Sequence, residues 1–341
     1  MRPAALASPE EKRSFVKNLT DPFGRRLDYL RLSLTERCNL RCTYCMPAQG
    51  IPLKARENIL SFEEMDRLVQ LFLHLGIRKL RITGGEPFVR KGAFEFIQSI
   101  NRYEKLQSLN ITTNAVLIEK YLKGLKKLKL DSLNISLDSL NRETFQQITL
   151  RDNFDIVYQN IFKALDLGIT TKINIVVMSG INDKELKDFV KLARDYPLQV
   201  RFIEAMPFNG AQFDDNNLRA QEIIEILEGD FLLQEQKTEI NSTARIFSIP
   251  GYQGSVGIIE GFSRTFCGSC NRLRVTADGV FKTCLYDREA LNFKELIRQG
   301  ATDSELFEAI KDAVAHRAKD GFESQKRANT LYNLSMAQIG G

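Results

Sequence analysis

The cysteines of this chain are few and fall into two groups of three. Cys38, Cys42 and Cys45 lie within TERCNLRCTYCMP, and Cys267, Cys270 and Cys284 within FCGSCNRLRVTADGVFKTCL. Three thiolates on one short loop can hold three corners of a cubane iron–sulfur cluster and leave the fourth iron open to a substrate. A zinc site completed by a distant ligand competes at the first group, although zinc spacing usually comes as paired CxxC units. At the second group, zinc and a cluster both remain open on spacing alone. The chain has only two histidines, and neither His74 nor His316 is a strong fourth ligand.

S-adenosylmethionine suits an open iron, because its amino and carboxylate groups can chelate the metal while its sulfonium approaches the cluster. Electron transfer into the sulfonium releases a carbon radical that abstracts hydrogen. Arg81-Ile-Thr-Gly-Gly-Glu-Pro87 adds two glycines that permit close backbone approach and Glu86, a charge that could meet an ammonium. Arg31, Arg81, Lys172, Arg272 and Arg274 are expected to project from strand ends or the later loop toward one cavity. Arginine forks bind phosphate oxygens in pairs, so a triphosphate fits them. Each taken singly reads as a solvated charge, but Arg31 and Arg81 sit within apolar strands, where an unpaired charge is costly.

The elements that must position these residues alternate. Strands are expected at Tyr29–Thr35, Leu80–Thr83, Leu109–Thr113, Ser132–Leu137, Thr171–Met178 and Leu198–Ala205. Helices are expected between them, the first starting from an Ser61 N-cap with Glu63 and Glu64 in its first turn. The others are Ala93–Ile100, a basic amphipathic Ile118–Leu128, Asn141–Gln147, Phe154–Leu167 and Lys184–Arg194. Six strand-then-helix units imply an α/β fold with a parallel sheet, too few for a closed eight-stranded barrel. The expectation is a partial (β/α)6 TIM-like barrel over residues 29–210, preceded by a lead-in at 1–28. Residues 211–341 then form an extension that carries the second triplet, including a hairpin across Ala277-Asp278-Gly279.

Charge and hydropathy exclude other classes. The net charge of +5, from 48 basic and 43 acidic residues spread along the chain, is too small and mixed to argue for nucleic acid or a membrane surface. No apolar run approaches the roughly 20 residues of a membrane span. The first residues, MRPAALASPEEKRSF, lack an apolar core and carry Glu10 and Glu11, which reads as the start of a cytoplasmic protein.

CxxxCxxC after a first strand, with Tyr44 before the third cysteine, resembles the radical S-adenosylmethionine superfamily, and the GGE stretch agrees. LRLSLTERCNLRCTYCMP, RITGGEP, ITTNA, LNISLDSL, IEAMPFNG, FCxxCNRxRxTxxGxxxxCL and the final Gly340-Gly341 together resemble the GTP 3′,8-cyclase family of molybdenum cofactor biosynthesis. The resemblance runs from Asp21 to Gly341. It implies two [4Fe–4S] clusters, one on each triplet, with the second holding the purine of GTP. It implies S-adenosylmethionine beside Tyr44, Gly85, Ser136 and Met206. It implies GTP contacts from Arg31, Arg81, Thr112, Lys172, Arg272, Leu273 and Arg274, with Arg272 and Arg274 also assisting the chemistry. It further implies an electron-donor protein, a downstream cyclic pyranopterin monophosphate synthase, and a glycine tail that enters the site. A homodimer is left open. Ala115 stands where that family usually has glycine. The competing classes are a radical peptide-modifying enzyme, an iron–sulfur sensor and a zinc-stapled binding protein; the chain shows no spare cysteines for the first and no recognition helix for the second.

Overall fold

Six short strands, each followed by a longer amphipathic segment, build the centre of the molecule. The computed structural model describes residues 18–208, 217–328 and 335–340. Strands β1 (Tyr29–Ser33), β2 (Lys79–Thr83), β3 (Ser108–Thr113), β4 (Leu130–Ser136), β5 (Thr171–Val177) and β6 (Gln199–Glu204) pair in parallel in chain order. Each shows period-two alternation. Leu30, Leu32, Leu80, Ile82, Leu109, Ile111, Leu133 and Ile135 are buried in the main apolar core. Their alternates, Arg31, Arg81, Thr112 and Ser136 among them, face a cavity.

The helices cover the apolar side. Phe62–His74 starts as the sequence requires: Ser61 and Glu64 form a capping box, and Met65, Leu68, Val69, Phe72 and Leu73 are buried. The expected helix over Ile118–Leu128 is shorter, a 3₁₀ turn at Glu119–Tyr121 and one helical turn at Leu122–Leu125. Gly124 lies at its centre, where a Cβ would meet Phe94 at 2.3 Å, so close packing outweighs helix length there.

The segment beyond residue 216 does not stand apart from this sheet. Strands β7 (Gln234–Gln236), β8 (Ala244–Ser248), β9 (Ser255–Ile259), β10 (Arg272–Val275), β11 (Val280–Lys282) and β12 (Leu291–Asn292) extend both of its edges. The order is β12-β11-β10-β1-β2-β3-β4-β5-β6-β9-β8-β7. β10 pairs parallel to β1, and β9 parallel to β6. The parallel row is therefore two strands wider than the six repeated units, with an antiparallel pair finishing each edge. The hairpin across Ala277-Asp278-Gly279 is present, Arg274 facing Lys282. The result is a partial barrel, open between β12 and β7. Among the described residues no helix is long and apolar enough to cross a membrane.

The β6–β9 seam depends on Gly254. A Cβ there would sit 2.1 Å from the Leu198 carbonyl oxygen and 2.9 Å from that of Tyr196. Backbone cannot yield as a side chain can, so Gly254→Ala is expected to lower stability by about 1–3 kcal/mol. The denaturant midpoint checks this; an unchanged midpoint would mean that the seam is looser than described.

Candidate functional site

The loop after β1 packs on the end of the helix Arg142–Thr149. Arg41 and Thr43 donate their amides to the carbonyls of Thr149 and Ile148, and the amides of Cys45 and Met46 turn onto the Cys42 carbonyl. The GGEP loop after β2 locks against it: Gly85 N donates to Thr35 O at 2.6 Å and Glu86 N to Arg37 O at 2.8 Å. Cβ atoms at Gly84 and Gly85 would lie 2.6 and 2.5 Å from the carbonyl oxygens of Thr35 and Arg37. The glycines therefore serve loop-on-loop contact, and Gly85 also lines the cavity.

Glu86 does not line the cavity. It is fully buried. Its oxygens accept from Thr113 Oγ1 at 2.9 and 3.0 Å, Asn114 N at 2.7 Å and Phe88 N at 3.1 Å. Burial raises its carboxyl to about 7 against the pull of these donors. The expectation that its charge meets an ammonium is thus corrected: the side chain braces the turn.

All six cysteines are free and partly exposed, and all line one cavity of about 310 Å³. Arg31, Arg81, Arg272 and Arg274 line it too, as do Tyr44, Gly85, Thr112, Ser136 and Met206. Two expected contacts lie elsewhere. Lys172 sits at the start of β5, two positions before the lining residue Asn174. Leu273 points its fully buried side chain into the apolar core beside Leu30, leaving only its main chain for a ligand. Gly341 is outside the described residues.

The cations crowd. Arg31 is registered beside Arg81 on one neighbour and Arg274 on the other. At a strand spacing of about 4.8 Å this places three guanidinium stems in one row. Burial, then Arg274 and Arg81, push Arg31 well below the usual arginine value, and burial pushes Arg274 down to about 10. The Nε atoms of Arg31 and Arg81, Thr112 Oγ1 and Asn174 Oδ1 are buried and without a hydrogen-bond partner. Buried polar atoms of this kind are costly unless a ligand meets them.

The two ends of the cavity differ electrically. Burial raises Cys38 to about 11 and Cys45 to about 12, and burial with Asp138 holds Cys42 well above the usual thiol value. Asp138, itself raised by burial to about 6, accepts from Tyr44 Oη at 2.9 Å and from Val176 N. At the other end burial also opposes the Cys270 thiolate, but Arg272 and Arg317 outweigh it and bring that thiol below its usual value. Among the described residues no set of His, Cys, Asp or Glu side chains closes on a single metal ion. The donor set at each end is three sulfurs facing a shared space, which suits a polynuclear group with an open corner.

Several residues escaped the sequence reading. Arg201 and Asn174 line the same cavity, and alternation along QVRFIE and TKINIVV could have placed them on the face of Lys172. Arg264, in a left-handed conformation, stacks over Tyr286 at 3.6 Å and keeps Nε and one terminal nitrogen unpaired beside the cavity. The tail is anchored as well. Ser335 Oγ and Met336 N both donate to Cys45 O, while Gly340 O accepts from Thr83 Oγ1 at 3.2 Å and Arg274 at 3.4 Å. Gly340 has φ +80°, and a Cβ would lie 2.9 Å from Ser33.

A partial barrel with a three-cysteine loop after β1 and a glycine turn after β2 defines a radical S-adenosylmethionine protein. Residues 32–193 match the model of the Radical SAM superfamily, and residues 198–322 that of Molybdenum Cofactor Synthesis C. This class implies an iron–sulfur cluster and S-adenosylmethionine. The chain is 43% identical over 333 residues to the GTP 3′,8-cyclase of Syntrophomonas wolfei, covering 95% of this chain and 100% of that one. The chain belongs to the GTP 3′,8-cyclase family. It is also 43% identical to Molybdenum cofactor biosynthesis protein 1 of Dictyostelium discoideum, covering 90% of this chain and 51% of that protein. It thus spans about half the length of such relatives. The solved structure of Streptococcus suis SuiB bound to S-adenosylmethionine shares the fold, with TM-score 0.56, 13% identity, and coverage of 83% and 64% of the two chains.

Lys172 supplies a test of the cationic crowding. Burial, with Arg201, Arg81 and Lys79 adding to it, lowers its ammonium from 10.5 to about 8. The folded state therefore carries a penalty that is full below pH 8. It fades as pH rises toward 10.5, where the unfolded chain also loses the proton. Lys172→Met is expected to raise the melting temperature of the ligand-free protein at pH 7, with the gain shrinking between pH 8 and 10. A gain independent of pH would assign it to packing instead.

Proposed function

We propose that this chain converts GTP to (8S)-3′,8-cyclo-7,8-dihydroguanosine 5′-triphosphate, the first step of molybdenum cofactor biosynthesis, with a [4Fe–4S] cluster on each cysteine triplet. One observation carries the reading: both triplets open onto the same cavity, with a row of arginines between them. The GTP 3′,8-cyclase named above supports the substrate. When bound, the first cluster and S-adenosylmethionine supply a 5′-deoxyadenosyl radical able to take hydrogen from C3′ of GTP, after which C3′ joins C8.

The chain's own residues do the rest. Cys38, Cys42 and Cys45 hold the first group, and Tyr44, Gly85, Ser136 and Met206 form the wall for the cosubstrate. Arg31, Arg81 and Thr112 meet the triphosphate through their unpaired nitrogens and hydroxyl, Arg272 and Arg274 line the same cavity, and Lys172, set back on the same strand face, adds its charge without direct contact. Charge neutralisation by the ligand removes the repulsion that the empty protein bears. Cys267, Cys270 and Cys284 hold the second group, against which the base is fixed so that the two carbons are close enough to bond. Arg272 and Arg274, beside the second triplet, favour electrostatically the one-electron reduction of the cyclised radical, the electron coming from the donor protein. A separate protein supplies electrons, a cyclic pyranopterin monophosphate synthase takes the product, and the protein works in the cytoplasm.

Anaerobic incubation of iron-reconstituted protein with GTP, S-adenosylmethionine and dithionite is expected to give 5′-deoxyadenosine and a cyclised nucleotide by mass spectrometry. Cosubstrate cleavage with no nucleotide product would remove GTP from the reading. Arg31→Ala and Arg274→Ala are each expected to weaken GTP binding by about ten- to a hundredfold, the loss of one charged hydrogen-bonding group. Binding equal to the parent in equilibrium dialysis would take the triphosphate away from the arginine row. Because Lys172 titrates near pH 8, GTP affinity is expected to fall above that pH in the parent and to stay level in Lys172→Arg.

A further inference from the structure

Behind the second triplet lies a buried ion network that the proposed chemistry leaves unused. Arg317 is 4% exposed and Asp21 5%. One terminal nitrogen of Arg317 donates to the Asp21 carboxylate at 3.1 Å and to the Cys270 carbonyl at 3.0 Å. The other donates to Cys270 Sγ at 3.3 Å and to the Arg272 carbonyl at 3.4 Å. Asp21 also accepts from Arg25 Nε at 2.5 Å and from the amides of Phe23 and Arg25. Arg25 in turn donates to the carbonyls of Cys267, Ala318 and Lys319. One carboxylate is thus shared by two guanidinium groups, and the surplus positive charge is directed at the cysteine turn.

The sulfurs of the first triplet meet a different environment. Cys38 Sγ accepts from Leu40 N at 3.4 Å and from the Asn114 amide at 3.7 Å, both neutral donors. Buried Asp138 stands beside Cys42, and the guanidinium of Arg41 donates to the carbonyls of Cys38 and Leu40 rather than to a sulfur. Hydrogen bonds to ligand sulfur and nearby positive charge stabilise a reduced iron–sulfur cluster, whereas nearby negative charge opposes it. Removing one member of a buried charged network also leaves the rest uncompensated, so such a network fixes geometry strongly.

We propose that Arg317, oriented by Asp21, is a positioning residue for the second iron–sulfur site: it fixes the Cys270 turn and holds that cluster at a less negative reduction potential than the first. The proposal rests on the reading that Cys267, Cys270 and Cys284 bind a cluster. Arg317 touches no substrate in this account and acts through the sulfur of Cys270.

The test is a mediated redox titration of the anaerobically reconstituted full chain, followed by electron paramagnetic resonance, with iron counted in parallel. The parent is expected to hold about eight irons per chain, as two cubane clusters require. Cys267→Ala identifies the second signal by removing it. Arg317→Gln, which keeps a donor but loses the charge, is expected to move the second midpoint to more negative values and leave the first in place. Arg317→Lys is expected to restore it toward the parent. Asp21→Asn, which removes the opposing carboxylate, is expected to move it the other way. Opposite shifts of one midpoint are not what damaged packing produces. Unchanged midpoints, or shifts of one sign in both variants, would overturn the role of Arg317. If Arg317→Gln fails to load iron, Asp21→Asn decides alone: a less negative midpoint supports the role, and any other result overturns it. A parent with only about four irons, none lost in Cys267→Ala, would instead sink the second cluster itself.

Discussion

Repulsion among arginines held side by side on neighbouring strands is the constraint around which this molecule is organised. Arg31 lies between Arg81 and Arg274 in register, with Arg201 and Lys172 further round the same inner surface. A barrel interior packed with aliphatic side chains would need none of this, and it would leave no cavity. Here the inner face is polar, so cohesion comes from the outer face. The leucine and isoleucine residues of each strand pack there against the covering helices in one continuous core. Each buried leucine or isoleucine side chain contributes about 1.5–3 kcal/mol, enough in sum to hold charges that would otherwise spread the strands.

The same arrangement separates two electrical environments within one cavity. At one end, Asp138 stands beside Cys42 and neutral donors meet Cys38 Sγ, with Arg41 on the Cys38 carbonyl; at the other, the Arg317 guanidinium donates to a cysteine sulfur itself. The chain bridges the ends with its own tail, tied to Cys45 at Ser335 and to Arg274 at Gly340. Displacing either end therefore disturbs the other through covalent connection as well as through field.

Much of this was legible in the sequence, because the signals were local. The two cysteine spacings, the glycine turn after β2 and the period-two strands with Arg31 and Arg81 among leucines and isoleucines all read directly. What was not legible depended on contacts between distant segments. Glu86 reads as a free charge until Thr113 and Asn114 are seen to occupy its oxygens. Alternation along QVRFIE gives the face of Arg201, but only the pairing of β6 with β5 sets it beside Asn174 on the cavity wall. Arg317 carries no motif, and its meaning comes entirely from Asp21 and Cys270, far away in sequence. Ala115 was noted only as a departure from glycine, yet it adopts φ +63° while fully buried. A left-handed alanine costs about 1–2 kcal/mol, and Asn160, which donates to its carbonyl at 2.8 Å, helps hold it there.

The pairing of β1 with β10 has a consequence for how the chain is made. Asp28 meets Asn271 across 243 positions, and β6 receives its neighbour β9 only after an intervening helix and hairpin. Contacts of such separation form slowly, because a long loop must close before they reward it. During synthesis the six central strands can assemble while both of their outer edges remain bare, and exposed edges invite pairing with other chains. The residues of the first cysteine loop are all present at that stage but lack the Ser335 and Met336 donors that later meet Cys45, whereas the second triplet emerges with the strand that seals β1.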